Sequence, residues 1–216
     1  MTNNFIKVAL LIVSLLYSLP TYSNEVINSS VHHLSDGTYA NTSGVAYESS
    51  FNKLLKWSWE RRSKNLETFE FEVEVPNYKE IYENENIVTT WIGHETFLYQ
   101  NKDINVLTDP HFTQRASPLN FAGPKRYMAP GMKIDDLPNI DVVTISHSHY
   151  DHLDYMSVKL LAEKFDNILF LVPLGLKKWF ESKGIYNVRE LDWWDSLIIQ
   201  ETLITFAPVQ HWSARG

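Results

Sequence analysis

Asp141 to Ser146 (DVVTIS) is a short apolar run, and His147-Ser-His-Tyr-Asp-His152 follows it at once. A run of this length, apolar in successive positions and rich in β-branched residues, suits a strand buried on both faces, as in the middle of a parallel sheet covered by other layers. Its surroundings agree. Helices are expected near Met156–Phe165 and Leu176–Lys183, strands at Ile168–Val172 and Val188–Leu191, and a final β pair at Ser196–Phe206. Strands alternating with helices in this way indicate a layered α/β protein. Upstream, short β segments are expected at Ile87–Ile92, Thr96–Gln100 and Asn105–Thr108, followed by a Pro/Gly-rich loop from Asp109 to Pro138.

Three histidines and an aspartate within six positions, between a strand end and a helix, stand where α/β sheets place their active sites. In extended backbone His147 and His149 share a face. Asp151 and His152, past the turn, can swing to a second position close by. The chain has no cysteine, which excludes disulfides, a thiol nucleophile, thiolate metal sites and iron–sulfur clusters. Four convergent imidazole and carboxylate donors can therefore hold two divalent ions, with zinc the fitting metal. The plainer alternative is a His-rich polar loop, but four ionisable groups beside an apolar strand are hard to desolvate without a partner charge. Asp154 is in reach as a supporting carboxylate or as the start of the next helix. His211, after the last β segment, is placed to be a remote third ligand. The Gly-x-Ser-x-Gly elbow, the P-loop, the dinucleotide glycine fingerprint and the His-Glu-x-x-His helix are all missing.

A net charge of -7 over 216 residues argues against a nucleic-acid partner, since nothing basic dominates the chain to displace phosphate counterions. Met1–Ser23 has one positive charge at Lys7, an apolar run from Val8 to Leu19, then Pro20 and small residues, the layout of a secretory signal peptide. The apolar run is shorter than the roughly 20 residues of a membrane anchor. The mature chain is thus expected to be exported, to the periplasm in a two-membrane bacterium. Residues 24–86 form an N-terminal arm, helix and strand, and residues 87–216 the main domain. In the arm, His32-His33 reads as a solvated pair in a loop. Phe51–Lys64 reads as an amphipathic helix docked on the core through Phe51, Leu54, Leu55 and Trp59, its basic opposite face giving an alternative of contact with anionic lipid. Phe69–Val75 alternates as a half-buried strand, and the acidic run Glu67–Glu85 reads as a solvated face without calcium-loop spacing.

His147-Ser-His-Tyr-Asp-His152 fits the His-x-His-x-Asp-His signature of the metallo-β-lactamase superfamily. Trp91-Ile-Gly-His-Glu-Thr-Phe97, Leu107-Thr-Asp-Pro110, Arg115-Ala-Ser-Pro118, Gly123-Pro-Lys-Arg126, Val172-Pro-Leu-Gly175, Leu191-Asp-Trp-Trp-Asp195 and Gln210-His-Trp-Ser213 narrow the match. With them the chain, from about His32 onward, resembles the N-acyl-phosphatidylethanolamine-hydrolysing phospholipase D branch. The resemblance implies an αββα sandwich with a dinuclear zinc site: His147, His149 and His211 on the first zinc, Asp151 and His152 on the second. Asp151 would also orient the nucleophile. It implies metal-assisted hydrolysis of a phospholipid or other phosphodiester, releasing an alcohol head group, with peripheral contact at a membrane. A bridging aspartate and one more histidine of the family have no counterpart before Gly216, so the expectation is a sandwich without its C-terminal half. The alternatives are an inactive metal-binding fragment and another hydrolase of the superfamily, such as a lactonase.

Overall fold

The computed structural model describes residues 32–41, 52, 53, 55, 56, 59, 60, 72, 87–213 and 215. Residues 1–23, expected to be a signal peptide, lie outside them, as do all of Phe69–Val75 except exposed Glu72 and nearly all of the acidic run. From residue 87 on, six strands form one sheet in chain order: β1 (Val88–Gly93), β2 (Thr96–Gln100), β3 (Asn105–Thr108), β4 (Val142–Thr144), β5 (Leu169–Pro173) and β6 (Val188–Leu191). β1, β2 and β3 pair antiparallel, and β3 through β6 pair parallel. Helix α1 (Tyr155–Lys164) joins β4 to β5 and α2 (Lys177–Glu181) joins β5 to β6, the crossovers that parallel neighbours require. β7 (Ser196–Ile199) and β8 (Thr202–Thr205) form a separate antiparallel pair.

Alternation along the central strands sorts the core into two sides. Leu107, Val143, Phe170 and Val172 face the helices, packing with Val158, Leu161, Phe165 and Phe180. Val142, Leu171 and Leu191 face the other way, where Leu197, Ile199, Ile204 and Phe206 of the hairpin segment cover them. The chain thus stacks a helical layer, the large sheet and a second sheet. The second sheet consists, among the described residues, of β7 and β8 alone. This short hairpin borders a cavity of ≈ 510 Å³ whose lining includes Tyr99, Val106, Leu171, Ile204 and Phe206 and which reaches Asp109 and Ser146.

The N-terminal segment needs two corrections. Residues 52, 53, 55, 56, 59 and 60 are helical, with a Lys56–Glu60 pair at 3.9 Å one turn apart. Leu55 and Trp59, expected against the core, are instead 52% and 74% exposed, so periodicity gave the helix but not its docking. His32, expected in solvent, is buried, and both His32 and His33 bind Asp192. Among the described residues no helix is long and apolar enough to cross a membrane.

Candidate metal centre

The buried strand β4 fixes where the histidine loop begins. Its register is held on both sides, Leu107 against Val143 against Phe170, and the Ile145 N–H donates to Leu171 O at 2.9 Å just beyond it. The chain then turns. The N–H groups of His152 and Leu153 donate to His149 O at 3.1 and 2.8 Å, and Leu153 is buried in the helix-side core as the anchor of the turn. Asp154 begins α1, and its carboxylate accepts the Ser157 hydroxyl.

Asp109, at the end of β3, organises this loop from below. It is buried, accepts the Ser146 N–H and Oγ–H at 2.7 Å each, and accepts His152 Nδ1–H at 2.9 Å. His147 Nδ1 in turn lies 2.9 Å from Ser146 Oγ, which is already donating to Asp109 and so receives the imidazole proton. Both bonds place a ring proton on Nδ1. The Nε2 atoms of His147 and His152 are then left with the lone pairs that can face a cation, which is how supporting partners set the tautomer of a metal-binding histidine.

Two groups of ligand atoms result, each with its members within 4.8 Å of one another. In the first, His147 Nε2 lies 2.8 Å and His211 Nε2 lies 3.3 Å from His149 Nδ1. In the second, Asp151 Oδ2 lies 3.0 Å from His94 Nε2 and 3.8 Å from His152 Nε2. The rings of His147 and His152 are 4.1 Å apart between centroids, so the groups adjoin. All five residues expected at the site from sequence, His147, His149, Asp151, His152 and His211, are therefore brought together. His211 arrives through its neighbours: the Ser148 N–H donates to Ser213 Oγ at 3.2 Å, and Arg215 donates to Ser148 O and Leu153 O at 3.0 and 2.7 Å while lying over the Tyr150 ring.

His94 and Asp109 take part although sequence reasoning gave them no role. Both fall inside motifs that carried the family resemblance, and that was the available signal. Trp91 Nε1–H donates to His94 O at 2.8 Å, and Gly93 and His94 both take positive φ, 143° and 54°. A Cβ on Gly93 would stand 3.0 Å from Arg126 Nη2, which would have to give by a few tenths of an ångström, and the positive φ itself favours glycine in this turn.

The electrostatics separate the two groups. Burial, followed by the neighbouring His152, His149 and His211, pushes His147 down to about 4, and burial followed by His211 also lowers His149. Neutral imidazoles with lone pairs facing one another at these distances fit a borderline divalent cation. In the second group the hydrogen bond between His94 and Asp151 raises the histidine and holds the aspartate well below the usual carboxylate range. An ionised carboxylate flanked by two imidazoles is again a ligand set for a divalent ion.

Residues 104–216, just over half of the chain, match the model of the beta-lactamase superfamily domain. The chain belongs to the metallo-β-lactamase superfamily. Within it, the chain is 40% identical over 146 residues to N-acyl-phosphatidylethanolamine-hydrolyzing phospholipase D 1 of Caenorhabditis elegans, covering 63% of this chain and 41% of that protein. It is 32% identical over 123 residues to a UPF0173 metal-dependent hydrolase of Solibacter usitatus, covering 56% and 46%. Among solved structures, a metallo hydrolase from the archaeon Ignicoccus hospitalis superposes with a TM-score of 0.39 at 17% identity, covering 51% of this chain and 42% of that one. The chain spans less than half the length of the curated relatives it matches.

Proposed function

We propose that this metallo-β-lactamase chain is a zinc-dependent phosphodiesterase of the N-acyl-phosphatidylethanolamine phospholipase D type, acting on the head-group ester of a phospholipid. The observation that carries it is the pair of adjoining ligand groups whose histidine tautomers are fixed by Asp109 and Ser146. His147, His149 and His211 would hold one ion and His94, Asp151 and His152 the other. Two bound zinc ions would supply Lewis-acid stabilisation and an acidified water for in-line displacement at phosphorus. The chain's own residues do the remainder. Asp109 keeps His152 aimed and Ser146 does the same for His147, while Asp151, its carboxylate facing the ion once that ion replaces the His94 hydrogen bond, takes the proton of the attacking water and passes it to the leaving oxygen. Water adds to phosphorus, and the bond from phosphorus to the head-group oxygen breaks. An N-acylethanolamine leaves with the proton, and phosphatidic acid remains. The C. elegans relative's name supports the lipid substrate, as does the cavity reaching Asp109, whose lining is rich in apolar side chains fit for hydrocarbon. Export guided by residues 1–23 belongs to the same proposal.

The test is turnover by the purified full chain loaded with zinc, offered N-acylated phosphatidylethanolamine in mixed micelles, bis(p-nitrophenyl) phosphate and an acyl lactone. Phosphodiester cleavage that is lost in His147→Ala is expected. Turnover of the lactone alone would assign a different hydrolase, and bound zinc without any turnover would leave a metal-binding chain that is not an enzyme.

A further inference from the structure

A third cluster of metal-ligating side chains lies outside the candidate centre and shares no residue with it: His32, His33 and Asp192, whose ligand atoms again fall within 4.8 Å of one another. We propose that it is a structural site for one divalent ion of the zinc class, fastening residues 32–41 to the turn after β6. Consecutive residues of an extended strand point to opposite faces, so two adjacent histidines do not ordinarily share a partner. Here the pair stands at the mouth of a tight turn that folds residues 38–40 back beside it. The Leu34 N–H donates to Thr38 O at 2.9 Å, the Ala40 N–H donates to His32 O at 2.8 Å, and Asp36 accepts the Thr38 N–H and hydroxyl. Both imidazoles then converge on one carboxylate: His32 Nε2 lies 2.6 Å from Asp192 Oδ1, and His33 Nε2 lies 2.9 Å from Oδ2.

The receiving side is equally fixed. Asp192 Oδ1 also accepts the Trp193 N–H at 2.8 Å, and the Asp192 N–H donates to Asp195 Oδ2 at 2.8 Å. The His32 ring is buried and stacked on Trp193, with centroids 4.1 Å apart and planes 14° from parallel. It is a ligand held in place before any ion arrives, and such preorganisation favours binding. His33 is exposed and leaves an open side for entry and for a water as fourth ligand. Bonds of about 2.0–2.2 Å to a tetrahedral ion set ligand atoms roughly 3.4 Å apart. The distances here are shorter by about half an ångström or somewhat more, as is the His147–His149 distance of 2.8 Å at the candidate centre, so both sites need a similar small opening. Among the described residues, the hydrogen bonds tying residues 32–41 to the rest of the chain both end on Asp192. An ion there would close a loop of about 160 residues, and its binding energy would add to the stability of the folded chain.

The experiment is zinc stoichiometry of the full chain, by elemental analysis after dialysis and by competition with a chromophoric chelator. His33→Gln changes an exposed side chain and spares the packing of His32, and Asp192→Asn removes the shared carboxylate. Each is expected to lose one bound zinc relative to the parent, and adding His33→Gln to His147→Ala is expected to remove one more than His147→Ala alone. Zinc should also raise the unfolding temperature of His147→Ala by more than it raises that of His147→Ala/His33→Gln. Unchanged stoichiometry in His33→Gln, with the fold intact by circular dichroism, overturns the site. Equal zinc-induced shifts in the two backgrounds overturn its structural role.

Discussion

The loop after β4 and the turn between β1 and β2 both deliver imidazoles to the candidate centre, by different physical means. The loop's candidate ligands are aimed by side chains: Asp109 and Ser146 choose the tautomers of His147 and His152 through hydrogen bonds beneath the site. The turn's one candidate ligand, His94, is aimed by backbone shape, two successive positive φ angles and one indole N–H, and its imidazole reaches across to Asp151. A site of this kind can be lost through a polar residue that never touches an ion, or through a methyl group that bends a turn.

The largest effect is expected from Asp109→Ala. It removes the acceptor of three hydrogen bonds at once, and about 3 kcal/mol of stability and a 10- to 100-fold loss of zinc affinity are expected, measured by urea denaturation and chelator competition. Gly93→Ala attacks the turn. Its strained φ and close approach to Arg126 should cost about 1–2 kcal/mol and weaken one zinc selectively. Equal weakening of both ions would show that the turn and the loop do not act separately.

The smallest effect is on pH dependence, where the two regions have opposite signs. For His147, lowered from 6.5 to about 4, the unfolded chain takes a proton at a pH where the folded chain refuses it. Stability of the metal-free chain should therefore fall as pH drops from 6.5 to about 4, and His147→Gln should flatten that limb. For His94, raised by Asp151, the stabilising bond is fully present below 6.5 and is lost as pH rises through the raised value. His94→Ala should flatten the alkaline limb instead, as read by chemical denaturation across pH.

What could be read from sequence follows the same division. β2, β3 and β6 lie at the bounds read from sequence, and the run Asp141–Ser146 contains β4, shorter than expected at Val142–Thr144 but legible because burial on two faces leaves a continuous apolar signature. His147, His149, Asp151 and His152 stand in one six-residue string. Asp109 and His94 escaped because their importance lies in contacts 43 and 57 residues away along the chain, which periodicity does not encode. The His32-His33 pair looked solvated for the same reason, since its partner Asp192 is 160 residues distant from His32. Leu55 and Trp59 show the converse: a helical pattern predicts a helix, and it does not supply a surface to bury it.

The order of the large sheet, β1 through β6 with every strand beside its predecessor, bears on how the molecule comes into being. During synthesis each described strand after β1 emerges next to a partner already in place, and none of these six waits for a distant mate. The histidine loop is therefore laid down on a nascent platform well before His211 is made. The first ligand group gains His211 only after the hairpin has emerged, so the histidine loop and the strands beneath it are in place before that group is assembled.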